Sequence, residues 1–325
     1  MDSNQLWTLT DGRAGNLRQA TALAQALGLP WQDWPLQSRA PWRWAAPRRL
    51  PGARAAFGDG FAEAMLAPPA LAIGCGRQAA LATRLLQQAG GRVVQILDPR
   101  IDTRHWDLVV APQHDGLSGA NVIPLLGSLN PVDDAWLERA RNRDPATGQL
   151  PGPRTLVLLG GSSPHYDFDL AAWKRLEAAL DAQLAGQGSV LASTSRRTGE
   201  GVAFAVRQRY ARAPHQAWCG PQDGPNPYAG WLAWADRVVV TPDSVNMLSE
   251  ACATHAQVFV FEPDSAQGRP RQYVDALLQR GRVRPLAGTL DAYPCVPLRE
   301  TARVAAEVRA RLGLPAGTAS VPSQA

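Results

Sequence analysis

The sequence predicts an α/β protein of two doubly wound, Rossmann-like domains facing a cleft. Three observations carry this: short apolar runs of strand length recur along the chain, segments of helical spacing fall between them, and a polar stretch broken by Pro and Gly divides the series in two. Strands alternating with helices call for a parallel sheet covered on both faces. The 325 residues suit two domains of ordinary size, and 45% hydrophobic content is enough for packed cores.

The first series opens with a strand at 6–9, a flexible turn at 11–15 and a helix at 19–27, where Ala20, Leu23, Ala24 and Leu27 share a face. After an irregular segment rich in Trp, Pro and Arg, strands are expected at 71–73, 93–97, 108–111 and 122–125, with a helix at 79–88 and another near 134–141. Residues 142–154, NRDPATGQLPGPR, read as a linker. The second series has strands at 155–159, 189–193, 216–218, 237–241 and 258–261, and helices at 170–184, 202–212, 228–234, 244–254 and 271–280. The expected domains are 1–145 and 146–298, followed by a helix at 299–313 packing back on the first domain and a flexible tail at 314–325.

The formal net charge is +5, and Lys174 is the only lysine, so the basic residues are nearly all arginine, whose planar fork suits phosphate and carboxylate. That charge is too dispersed for a nucleic-acid partner. Cys75, Cys219, Cys252 and Cys295 lack CxxC spacing, and no His/Asp/Cys cluster has metal-ligand spacing, so no metal and no bound cofactor are expected. The turn DGRAG departs from the dinucleotide spacing GxGxxG, which sets an oxidoreductase aside. A cytoplasmic protein is expected, because no signal-like start and no apolar run of about 18–20 residues is present.

In doubly wound sheets ligands gather at the carboxyl ends of the strands, so the turns there are the candidate sites. Residues 237–261 place a strand, the turn Pro242-Asp243-Ser244 and a helix start in direct sequence, a geometry whose free amides suit a phosphate; Glu250 follows near two turns into the helix. Gly160, Gly161 and Ser162 form a second such turn, with His165 beyond it, and Ser195 and Arg196 with Arg197 lie in a third, where guanidinium forks could neutralise a diphosphate. A structural alternative stands beside each: a tight loop needing positive φ, or ordinary helix capping. In the first series Arg100 ends one strand, and His114 beside Asp115 ends another. His114 and Asp115 are the preferred general-base candidates and Asp11 the next; a structural histidine at the sheet edge is the alternative for His114.

Together WTLTDGRAGNLRQATALAQAL, LLGGSSPHYDFD, STSRRTGEG and NPYAGWLAWADRVVVTPDSVNMLSEA resemble the mitochondrial-fission Elm-type family and its bacterial members. That family is similar to GT-B glycosyltransferases of the lipid-linked N-acetylglucosamine transferase type and to sugar-nucleotide epimerases. The resemblance implies a ribose-binding role for Glu250, a diphosphate at Ser244, Val245 and Asn246, and the Gly-Gly-Ser loop at Gly160, Gly161 and Ser162. Gly12 and Gly15 match the glycines of the first-domain loop, with Gln19 in the following helix counted among the ligand contacts. Asn16 stands where the transferases carry a histidine, which moves the base to His114, Asp115 or Asp11.

The expected function is therefore metal-independent transfer of a sugar from a nucleotide-sugar donor, UDP-linked by resemblance, to a cell-envelope saccharide or lipid-linked acceptor. A non-catalytic scaffold acting through protein partners and a sugar-nucleotide epimerase are the alternatives. Residues 31–49 add Trp31, Trp34, Trp42 and Trp44 among Arg39, Arg43, Arg48 and Arg49. Either these indoles pack under a long loop, or they touch the headgroups of an anionic inner membrane at its periphery.

Overall fold

The computed structural model of the protein describes residues 5–287 and 290–315, so most of the expected tail lies outside the described residues. The chain separates into two compact units, one holding the residues up to Pro131 together with those from Glu300, the other Val132–Arg299.

The first unit carries β1 (Leu6–Thr10), β2 (Trp31–Pro35), β3 (Leu71–Cys75), β4 (Val93–Ile96), β5 (Leu108–Pro112) and β6 (Val122–Leu125), all parallel, in the order β2-β1-β3-β4-β5-β6. Because side chains alternate across a strand, each apolar run feeds two cores. Trp7, Ala72, Val93 and Val109 face one cluster with Leu81 and Phe61, while Leu6, Ile73, Val94 and Val110 face another with Leu23 and Leu27. Val304, Ala305 and Val308 of the helix Thr301–Leu312 join that second core, so the C-terminal helix packs against the helix Ala14–Leu27.

The second unit carries β7 (Arg154–Leu159), β8 (Ser189–Thr194), β9 (Gln216–Trp218), β10 (Arg237–Val240), β11 (Gln257–Val260) and β12 (Val283–Pro285), in the order β12-β11-β10-β7-β8-β9. Val157, Leu159, Val190 and Val239 pack on Trp173, Leu176 and Leu180, and the alternate positions Leu156, Leu158, Val238 and Val240 are equally buried. This is the two-fold-wound Rossmann order, whose direction reverses between its first and fourth strands. The reversal falls between β7 and β10 here and between β1 and β3 in the first unit.

Three expectations require correction. The first helix begins at Ala14 rather than at 19, so Gly15 and Asn16 are helical and only the residues before them form the turn. The Trp-rich segment is not irregular throughout: residues 31–35 are the edge strand β2, Trp34 packs 4.9 Å from Trp7 between ring centroids, and Trp42 donates its indole N–H to Pro51 O at 3.1 Å. Residues 142–154 are not a free linker either. The helix Asp134–Arg143 runs into the short helix Pro145–Gly148, where Asp144 accepts from Thr147 and its carbonyl accepts from the Trp234 indole at 2.8 Å. A Cβ at Gly148 would lie 2.7 Å from the Trp234 ring, so that glycine is where the indole packs.

Candidate functional sites at the two switch points

Strand register brings the candidate turns together. In the second unit Leu158 pairs with Val240 and Leu159 with Thr194, so the turns after β7, β8 and β10 leave the sheet side by side. They are joined by Asp243, whose side chain is fully buried. Its Oδ2 accepts from Arg197 at 2.5 Å and from the Gly161 amide at 3.2 Å, and its Oδ1 accepts from Thr241 Oγ1 at 2.6 Å. Thr241 Oγ1 in turn accepts from the Gly160 amide at 2.8 Å. The Gly160 and Gly161 N–H groups are therefore taken up by the protein's own oxygens, and the two glycines answer a packing need. A Cβ at Gly160 would sit 1.9 Å from Asp243 Oδ1, and one at Gly161 2.0 Å from the Arg197 carbonyl.

The third turn is closed by Thr198, which accepts from the Ser195 amide at 3.0 Å and donates to the carbonyls of Leu159 and Gly160. Ser195 Oγ accepts from the Arg197 amide. Both arginines of this turn are exposed; Arg197 is tied to Asp243, and Arg196 is the other guanidinium the turn presents. Ser162 Oγ donates to Asp167 at 2.6 Å and accepts from Phe168 N, which orders the loop carrying His165.

Ser244 caps the helix Val245–Cys252 by accepting from Met247 N at 3.4 Å. The first amides of that helix, at Val245 and Asn246, have no acceptor within the helix, and its positive dipole end faces the turn. Its other end is fixed by Arg282, a buried guanidinium that donates to the carbonyls of Ala251, Cys252, Thr254 and Ala256. Glu250 is 2% exposed and its Oε2 accepts from the Tyr228 hydroxyl at 2.5 Å. Ser244 and Glu250 lie about 9 Å apart along the helix axis, within the length of a nucleoside diphosphate.

In the first unit Thr10 pairs with Cys75, so the turns after β1 and β3 are neighbours. Asn16 joins them: its amide donates to Asp11 Oδ1 at 2.9 Å, and its carbonyl oxygen lies 3.7 Å from the Cys75 thiol. A Cβ at Gly76 would meet the Asn16 amide at 2.5 Å. Burial raises the Cys75 thiol far above its ordinary range, with the Asp11 charge adding to the effect, so this sulfur is a neutral donor and not a nucleophile. Gly12 takes a left-handed φ of +76°, and Gly15 O accepts from the buried Gln19 amide at 3.3 Å.

The other first-unit candidates stand apart from this pair of turns. Arg100 follows β4 with φ of +62° and pairs with Asp98 at 3.1 Å. His114 and Asp115 follow β5, with the ring Nε2 3.9 Å from the carboxylate and side chains only 8% and 3% exposed. The Asp11 side chain is 20% exposed. Among the described residues, no group of three or more His, Cys, Asp or Glu could hold a metal ion, and no helix is long and apolar enough to cross a membrane.

Reading the turns one by one missed Asp243 as the tie between them, Arg197 as its partner, and Tyr228 as the donor to Glu250. The available signal was the clustering itself: an acid in the turn after β10 and arginines in the turn after β8, the two strands that flank β7.

Two parallel six-stranded sheets of these orders, each flanked by helices and each with candidate turns at its reversal, define a two-domain α/β protein of GT-B-like fold. A family model described as Mitochondrial fission ELM1 matches residues 14–312, and the chain belongs to that family. It is 32% identical over 279 residues to Mitochondrial fission protein ELM1 of Arabidopsis thaliana, across 75% of this chain and 64% of that protein, and so spans under two thirds of the plant relative's length. It is 23% identical over 351 residues to Uncharacterized protein RP120 of Rickettsia prowazekii (strain Madrid E), covering 92% and 96% of the two chains. Among solved structures it is similar to the UDP-GlcNAc 2-epimerase from Methanocaldococcus jannaschii, with a TM-score of 0.55, 12% identity and coverage of 94% and 99%. It is also similar to Os79 from O. sativa in complex with UDP, with a TM-score of 0.54, 12% identity and coverage of 95% and 91%. At such identities the likeness is one of fold alone.

Proposed function

We propose that the protein is a metal-independent glycosyltransferase that takes a UDP-linked sugar on its second unit and a saccharide or lipid-linked acceptor on its first. The observation that carries this is the reversal between β7 and β10. There the helix Val245–Cys252 starts in the turn after β10 and carries the buried Glu250 carboxylate further along its axis, while the turn after β8, next to β7, carries the exposed Arg196, a set suited to a diphosphate and a ribose. The helix-start amides and Arg196 take the diphosphate and stabilise it as it departs, while Glu250 accepts from the ribose hydroxyls. Asp243 and Arg197 hold the three turns in register.

In the first unit Asp11 is the base that removes the acceptor proton. It sits at the reversal beside the Gly76 turn, is held by Asn16, and is more accessible than His114 or Asp115, which lie after a strand three places from β1. A thermal-shift panel of nucleotides and nucleotide sugars tests the donor assignment. UDP-sugars are expected to raise the melting temperature by linkage, and a panel without any stabilising nucleotide would refute it. Release of free UDP in the presence of lipid-linked acceptors then tests transfer.

Asn16, in place of a titratable histidine, favours a second reading in which the site binds nucleotide without turnover and the protein acts through protein partners. Saturable UDP-sugar binding with no release of UDP across acceptors is its signature.

The acceptor side of the proposal extends to a membrane surface. Arg39, Arg43, Arg48, Arg49 and Arg54 fall in a stretch, 34–58, without an acidic residue. Trp44 is 68% exposed, and a groove nearby in sequence presents Leu50, Met65 and Leu66 with Arg49 and Arg54. Vesicles rich in anionic lipid are expected to float the protein at low salt and to release it at about 0.5 M salt, where the screening length falls to a few ångströms. Flotation with neutral vesicles alone, or none at low salt, removes the membrane from the account.

A further inference from the structure

We infer that Tyr228 plugs the nucleotide site: its hydroxyl holds the Glu250 oxygen that a ribose hydroxyl would take, so that nucleotide binds by displacing it. This rests on the ribose assignment of Glu250 made above. Three features of the structure support it. Glu250 is almost wholly removed from solvent, so an incoming hydroxyl reaches its carboxylate only by replacing what covers it. Tyr228 is its partner at Oε2, at 2.5 Å, and is itself only half-buried, which gives the phenol a route to water. Finally, Tyr228 is the first residue of the helix Tyr228–Trp234, whose backbone is fixed by the buried Trp231 and Leu232 and by the Tyr228 amide donating to Asn226 Oδ1 at 3.0 Å.

The side chain can therefore leave by rotation about its own χ angles, a fast motion, while the helix stays in place. At this oxygen the exchange replaces phenol to carboxylate by ribose to carboxylate and returns the phenol to water. Nucleotide affinity is lowered by the strength of the contact that must first be broken. Tyr228 is thus an affinity-setting residue whose removal has the opposite sign from that of a direct ligand contact.

The test is a calorimetric titration of the whole chain with UDP, comparing wild type, Tyr228→Phe and Glu250→Gln. Tyr228→Phe keeps the ring and its packing and is expected to bind UDP about two- to ten-fold more tightly, the range set by one net hydrogen bond. Glu250→Gln is expected to bind more weakly than wild type. Equal or weaker UDP binding by Tyr228→Phe, in a wild type that does bind UDP and loses it in Glu250→Gln, overturns the plug and leaves the ribose assignment standing. A wild type that takes up no UDP overturns the assignment and the plug together.

Discussion

Replacing Asp11 by Asn is expected to lower the rate of sugar transfer by about 10²- to 10⁴-fold, the range associated with loss of a positioned general base, while leaving UDP affinity at the wild-type value. Asparagine keeps an oxygen for the Asn16 amide, which now donates to Asp11 at 2.9 Å, so the turns after β1 and β3 stay tied while the ability to take a proton is lost, together with the ion pair to the exposed Arg13 at 3.4 Å. His114→Ala is the control, because the His114 side chain is nearly inaccessible and lies after β5. Initial rates of UDP release on the three proteins separate the candidates. A His114→Ala chain that loses transfer beside an Asp11→Asn chain that keeps it would move the base to the β5 turn, the first choice of the sequence reading.

Asp243→Ala is expected to destabilise the second unit by about 2–4 kcal/mol, because it strands the Gly161 amide and the Thr241 hydroxyl and leaves Arg197 without its counter-charge. For a unit of this size that lowers the melting temperature by roughly 5–15 °C. Gly161→Ala should act in the same direction through a different cause, since its Cβ would fall 2.0 Å from the Arg197 carbonyl and the turn after β8 would have to move. Scanning calorimetry of both variants checks this, with Asp243→Asn as a milder change that keeps the shape and removes the charge. An Asp243→Ala chain that melts with wild type would mean that the three turns do not depend on this carboxylate.

The legible part of this protein was its strand ends. Central strands such as Leu71–Cys75, and Arg237–Val240 beyond its first residue, are buried on both faces and therefore apolar, which one sequence displays directly. The edge strands Trp31–Pro35 and Val283–Pro285 escaped because each mixes polar residues and ends in Pro, the composition of an edge and equally of a loop. The first helix was begun too late because Gly15 and Asn16 are poor helix formers and Arg13 at the N-cap makes no side-chain cap.

The candidate site was legible as a set of turns and not as a network. Whether Arg196 or Arg197 turns inward is decided by Asp243, which lies 46 residues away from Arg197 and comes near only through the pairing of β7 with β8 and β10. In the same way Gly160 and Gly161 look like an anion cradle, while in the folded chain their amides serve Thr241 and Asp243. A glycine pair required by close packing and one required by a phosphate have the same spelling.

The most direct test of the account is the UDP affinity of Glu250→Ala against wild type by isothermal calorimetry, in chains with matching melting temperatures. Loss of hydrogen bonds to a buried carboxylate predicts binding weakened by about ten-fold or more. Equal heats and equal affinity in the two proteins would contradict the placement of a nucleotide at the reversal between β7 and β10.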